Sequence, residues 1–168
     1  SDDWDGTAIG KAIVAVSSRL DATGFPNVEI IAPSTAKAQR ALPYYEDIQS
    51  VPGAARRMTT LAYHRYDDAP DASDLNDIRA AARASGVNTA MLEYVDGGIA
   101  DLLADLSEVG ATAWQQYGIA TRLAGDGDPR PGWLIVARDR RGGRPALALS
   151  PIARALALVF NTVDQGSV

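Results

Sequence analysis

Side chains that could do chemistry recur where short apolar runs of this 168-residue chain come to an end. "NVEIIAPS" leads into Ser34 and Thr35, "MTTLAYHRY" into His64 and Tyr66, "VNTAMLEYV" into Glu93 and Tyr94, and "GATAWQQYG" into Trp114, Gln115, Gln116 and Tyr117. A carboxylate held against apolar neighbours is expensive to desolvate unless it is paired or used. Glu93, in the company of a histidine, tyrosines, amides and a tryptophan, has the make-up of a sugar pocket. Aromatic faces stack on pyranose rings, and amides and hydroxyls bond to sugar hydroxyls. The competing reading of Glu93 is a strand-end carboxylate paired to Arg65 or Arg122. His64, the single histidine of the chain, would by itself more often be structural, and its H-x-Y context at a strand end is what raises it to a candidate.

The elements that must position these groups alternate. Apolar Ile13, Val16 and Leu20 predict a first helix that Gly24 stops. "NVEIIAPS" then reads as a strand and "YYEDIQSVPGAARR" as a partly helical connector. "MTTLAYHRY" is the second strand, and its helix carries Leu75, Ile78 and Ala82 on one face between Ser73 as N-cap and Gly86 as terminator. "VNTAMLEYV" is the third strand, followed by a helix with Ile99, Leu102, Leu103, Leu106 and Val109 on its stripe. Strand midpoints Ile30, Leu61, Met91 and Ala113 lie 31, 30 and 22 residues apart, which suits right-handed βαβ units in a parallel sheet. "WLIVARD" and "RPALALS" flank "RRGG" as a β-hairpin. Ser150 and Pro151 open a last helix that turns Ile152, Leu156, Val159, Phe160 and Val163 inward. In parallel α/β folds the working groups sit at the carboxyl ends of strands, where the rim residues above gather. Plain alternation puts Thr89, Met91 and Glu93 on one side of their strand.

Composition narrows the partners. A net charge of -5 with dispersed arginines excludes a nucleic-acid or anionic-membrane surface, and no run approaches the ~20 apolar residues of a membrane span. The acidic start "SDDWDG" is unlike a signal peptide, so the chain reads as soluble or already processed. With no cysteine and one histidine, thiolate and all-histidine metal sites are impossible, and no cofactor or metal is expected. "GDGDP" from Gly125 reads as a solvated turn in preference to a calcium loop. Trp4 and Trp133 read as packing residues.

In this order and at this spacing, "LAYHRY", "TAMLEYVDG" and "ATAWQQYG" resemble the sixth, seventh and eighth strands of retaining glycoside hydrolases of the 4/7 superfamily. The resemblance implies that residues 1–168 are the second half of a (β/α)8 barrel: four parallel strands with helices, and a hairpin before the last helix. It implies a glycosidase acting on a β-linked glycoside or oligosaccharide, with Glu93 as nucleophile. His64 and Tyr66 would contact the sugar and steady Glu93, and Trp114 would lie beneath the sugar. Gln115 and Gln116, next along the same rim, complete the expected sugar contacts.

The family's acid/base glutamate ends the fourth strand, and this chain starts in the helix after it. Retention needs two carboxyl groups ~5 Å apart. Glu29, Glu46 and Glu108 are not at strand ends, so the acid/base belongs to an N-terminal half, expected as a separate polypeptide or partner subunit packed on Val28, Ile30 and Ile31. The alternatives are a non-catalytic sugar-binding or structural half-barrel piece, and an unrelated small doubly wound α/β protein. The sequence leaves the compartment open, and the substrate class favours a secreted or periplasmic setting.

Overall fold

The computed structural model describes residues 4–95, 97–118, 120–122, 134–137, 146–164 and 166, with side chains described for 4–95, 97–118, 149–164 and 166. The loop at Gly125 to Pro131, Trp133 and the "RRGG" turn lie outside the described residues.

Helix α1 (Gly6–Ala22) starts where Asp5 accepts a hydrogen bond from the Ala8 N–H at 2.7 Å. Its buried face is Gly6, Gly10, Ile13 and Ser17, while Val16, expected inward, is exposed. The glycines explain the difference. A Cβ at Gly6 would fall 2.5 Å from both the Tyr44 carbonyl oxygen and Asp47 Cβ, so α1 lies against α2 (Ala41–Ser50) at a separation only glycine permits. The glycine-bearing face, and not the bulkier Val16, therefore seeks the neighbouring helix.

Four parallel strands follow one another across a sheet: β1 (Ile30–Thr35), β2 (Met58–His64), β3 (Asn88–Glu93) and β4 (Ala113–Trp114). The chain before β1 is held by Arg57, which donates to the Val28 carbonyl at 2.9 Å and to that of Phe25 at 3.2 Å. β2 is buried almost throughout from Met58 to Tyr63, including Thr60, as suits a strand covered on both faces. Helix α3 (Ala72–Ser85) buries Leu75, Ile78 and Ala82 and ends at Gly86, whose φ of +68° is left-handed. Its cap is Asp71, not Ser73: Asp71 and Asp74 satisfy one another's backbone N–H groups in a capping box.

The sheet is open. β1 and β4 are its two edges, and on the β1 side Ile31 is 52% exposed and Val28 43%. Four parallel strands with helices make an α/β fold consistent with a half barrel.

After β3, α4 (Ile99–Ala104) passes into a π-helical segment, Asp105–Val109. The stripe expected here is only partly correct. Leu102 and Val109 are buried, Leu103 and Leu106 are exposed, and the residue between them on the buried face is Asp105, at 0% exposure. Asp105 Oδ1 accepts from the Tyr63 hydroxyl at 2.6 Å and from Arg65 Nη1 at 2.7 Å, and Oδ2 accepts from the Trp114 indole N–H at 2.9 Å. Burial pushes its carboxyl above the ordinary range, opposed by these three donors.

The chain divides into two units, one of residues up to Glu93 with Ala104–Gln115 and the other of Tyr94–Leu103 with Gln116–Val168. In the second, β6 (Leu134–Ala137) and β7 (Ala146–Leu149) form the expected antiparallel hairpin, and β5 (Ala120–Arg122) joins it, parallel to β6. Helix α5 (Pro151–Thr162) begins at Ser150, whose hydroxyl accepts from the Ala153 N–H. Ala153 and Leu156 are buried, but Phe160 and Val163, expected inward, are 57% and 48% exposed.

Replacing Asp105 by Ala should destabilise the first unit by ~3–5 kcal/mol, because truncating one member of a buried ion pair leaves desolvated donors behind. Denaturant unfolding of the variant against the parent checks this, and a loss under ~1 kcal/mol would show that the three hydrogen bonds contribute little.

Candidate functional site

Two local irregularities in the strands assemble the site. β1 shifts register between Pro33 and Thr35, where Ser34 takes a left-handed φ of +58°. Such a conformation costs a non-glycine residue ~1 kcal/mol or more and is held by the structure around it. It turns the Ser34 hydroxyl to hydrogen-bond His64 Nε2 at 2.8 Å. β2 and β3 shift register between Tyr63 and His64: Met91 is level with Tyr63, but the next aligned pair is His64 with Glu93. Bulges re-aim side chains in this way. The expectation from plain alternation, Met91 and Glu93 on one side, is thereby broken, and Glu93 is level with His64 while Met91 keeps level with Tyr63 and Trp114.

The chain after β2 stays beside β1, since the Tyr66 N–H donates to the Ala36 carbonyl at 2.9 Å. This brings the Tyr66 hydroxyl to Glu93 Oε1 at 2.5 Å. The rings of His64 and Tyr66 meet edge to face with centroids 5.9 Å apart. Burial holds the His64 imidazole below its ordinary value, partly offset by the Glu93 charge, so the ring favours its neutral form. Among the described residues, Glu93 Oε2 has no hydrogen-bond partner. One carboxylate oxygen is thus held by a hydroxyl.

Of the sequence-predicted residues, His64, Tyr66 and Glu93 come together. Arg65, one of the two cations that could have neutralised Glu93, donates to Asp105; the side chain of the other, Arg122, lies outside the described residues. The Trp114 indole N–H is also engaged by Asp105, and Gln115 is exposed, with its backbone N–H donating to the Met91 carbonyl at 2.8 Å. Gln116 belongs to the second unit, where its amide donates to the Val95 carbonyl at 3.3 Å. Sequence reasoning placed Ser34 on the rim without a role and missed Asp105 entirely. A signal for Asp105 exists: it stands three residues after Leu102 and four before Val109, on the stripe of the helix that must be buried.

Among the described residues, no group of three or more His, Asp or Glu side chains is placed to hold a metal ion, and no helix is long and apolar enough to cross a membrane.

No protein-family model matches the chain, and no curated protein matches it. Solved structures do. A conserved exported protein from Bacteroides fragilis is similar over 96% of this chain and 42% of its own, with a TM-score of 0.67 at 14% identity. SrfJ from Salmonella typhimurium is similar over 79% of this chain and 33% of its own, with a TM-score of 0.61 at 13% identity. A GH30 endoxylanase from Clostridium papyrosolvens C71 aligns over 67% of this chain and 29% of its own, with a TM-score of 0.48 at 14% identity. By the first two, the chain shares a fold with part of larger proteins, spanning 42% and 33% of the length of those solved chains.

The depressed His64 value has a consequence for pH. A folded state that disfavours the imidazolium contributes stability that is fully present above the ordinary value of 6.5 and is lost as pH falls through the lower folded value. Titrating the His64 ring protons by NMR should give a midpoint below 6.5, and His64→Gln should remove that part of the acid-side loss of stability. A midpoint at or above the ordinary value would contradict the half-buried, neutral ring.

Proposed function

We propose that this chain is the C-terminal half of a retaining glycoside hydrolase barrel of the 4/7 superfamily, acting on a β-linked glycoside or oligosaccharide. The observation that carries the reading is the Glu93 carboxylate, held by the Tyr66 hydroxyl at the carboxyl ends of parallel strands. That is where α/β barrels put their chemistry. In the first step Glu93 Oε2 attacks the anomeric carbon, and the bond to the leaving-group oxygen breaks as that oxygen takes a proton from the acid carboxyl. In the second, the same acid group, now a carboxylate, takes a proton from water, and the water oxygen displaces Glu93 from the anomeric carbon. Two inversions give net retention.

Tyr66 holds Glu93 Oε1 during attack and shares the charge that shifts on that carboxylate. Neutral His64, fixed by Ser34, presents a hydrogen-bonding ring to the sugar without adding a cation that would blunt the nucleophile. Trp114 and Gln115 are the candidates for further sugar contacts. The acid carboxyl belongs to the N-terminal half of the barrel, carried by another stretch of polypeptide or a partner subunit. The open β1 edge, with exposed Ile31 and Val28, supports a neighbour there. A secreted or periplasmic setting fits the substrate class and the exported neighbour from Bacteroides fragilis.

The test is hydrolysis of aryl β-glycosides by the chain alone and by the barrel completed with its N-terminal half. The chain alone should show no turnover and the completed barrel should hydrolyse. Glu93→Gln should lower kcat by ~10³-fold or more, as loss of a nucleophile does. Tyr66→Phe should lower kcat ~10²–10³-fold with little change in KM, the scale of losing one preorganised donor. Near-parent hydrolysis by Glu93→Gln, or an active chain without its complement, would overturn the reading.

A further inference from the structure

A concave feature adjoins the Glu93 cluster in the same unit through Ser34. At the carboxyl end of β1, between the start of α1 and α2, lies a cavity of about 460 Å³ lined in part by Trp4, Ser34, Lys37, Arg40, Tyr44 and Asp67. Its volume is within the ~300–1,000 Å³ of small-molecule sites. Ser34 is a shared wall, since its hydroxyl is also the partner of His64.

The wall chemistry is selective. Trp4, expected as a packing residue, is 55% exposed, and with Tyr44 it offers aromatic surface to the cavity. Aromatic faces of this kind take the C–H face of a sugar ring. The two cations differ. Lys37 Nζ is 3.3 Å from Asp67 Oδ2 and 3.2 Å from Asp68 Oδ2, so its charge is spoken for. Arg40, on the 3₁₀ turn Ala38–Arg40 that leads into α2, has no hydrogen-bond or ion-pair partner among the described residues. A guanidinium presents a planar fork that matches a carboxylate in bidentate fashion, which an ammonium cannot do. In a chain of net charge -5, a cation with no carboxylate partner among the described residues, set in a concavity beside aromatic surface, marks where an anionic ligand would be drawn.

We infer that this cavity binds a carboxylate-bearing sugar, a hexuronic acid unit of the glycan, with Arg40 pairing the carboxylate and Trp4 and Tyr44 packing on the ring. The sugar class rests on the glycosidase reading; the anionic preference rests on Arg40 alone. The unit would flank the one held by His64 and Glu93, with Ser34 between them.

Saturation-transfer NMR on the full chain tests this with glucuronic acid and digalacturonic acid as probes, and glucose and sodium sulfate as comparators. The uronates should bind saturably and more weakly as salt is raised. Arg40→Gln should weaken them at least tenfold, Arg40→Lys should recover part of that loss, and Trp4→Ala should weaken them several-fold. Circular dichroism of each variant should match the parent, because both residues are exposed. Glu93→Gln should bind the monosaccharide glucuronic acid as the parent does, so that failure of the catalytic reading and failure of this site are told apart. Equal saturation by glucose, unchanged binding in Arg40→Gln, no binding at all, or displacement by sulfate at equal concentration would each overturn the assignment.

Discussion

The buried carboxylate of Asp105 is the constraint on which the rest of the first unit depends. It gathers a phenol and a guanidinium from β2 and the chain just after it, and an indole from β4, onto one point at the end of α4. Desolvating a carboxylate is costly, and charge-assisted hydrogen bonds of good geometry are what offset it. The arrangement has a directional consequence. Tyr63 and Arg65 donate to this helical carboxylate, whereas Tyr66 donates to Glu93 and His64 pairs with Ser34. The same carboxylate sets the orientation of Trp114 on the next strand but one.

The site is then a product of broken regularity. An unbroken parallel ladder would keep Glu93 in step with Met91, on the side committed to packing. The register shift beside His64 and the left-handed Ser34 each spend local order to bring a side chain to the rim. Their effect is cumulative: Ser34 fixes His64, the loop after β2 carries Tyr66, and Tyr66 holds Glu93. Neighbouring strands thus each supply one link, and backbone pairing between the Tyr66 N–H and Ala36 ties the links together.

What was legible in the sequence was what depends on apolar periodicity and on single-residue signals. The strands around Leu61 and Met91, the glycine stop at Gly86 and the Ser150-Pro151 helix start are of this kind, as is the gathering of His64, Tyr66 and Glu93 at strand ends. Contacts that depend on a distant partner were not legible. Val16 lost its place to Gly6 and Gly10 because α2 approaches α1 so closely, and nothing local announces that approach. Asp105 was passed over because a stripe is read by its apolar members, whereas its donors lie 42, 40 and 9 residues away. β5 is too short to show an alternation, and a capping box of two aspartates competes with a serine that has an equally good local claim.

The proposed mechanism makes Glu93 the attacking group, and trapping the covalent intermediate tests it most directly. In the proposed mechanism an activated dinitrophenyl fluoroglycoside would form the glycosyl-enzyme without acid assistance and hydrolyse slowly, so that the chain joined with its proposed complement could be digested and its labelled peptide identified by mass. The prediction is a single sugar on the peptide containing Glu93, absent from the Glu93→Gln variant. A sugar carried by any other carboxylate, or turnover of the glycoside with Glu93 never labelled, would contradict it.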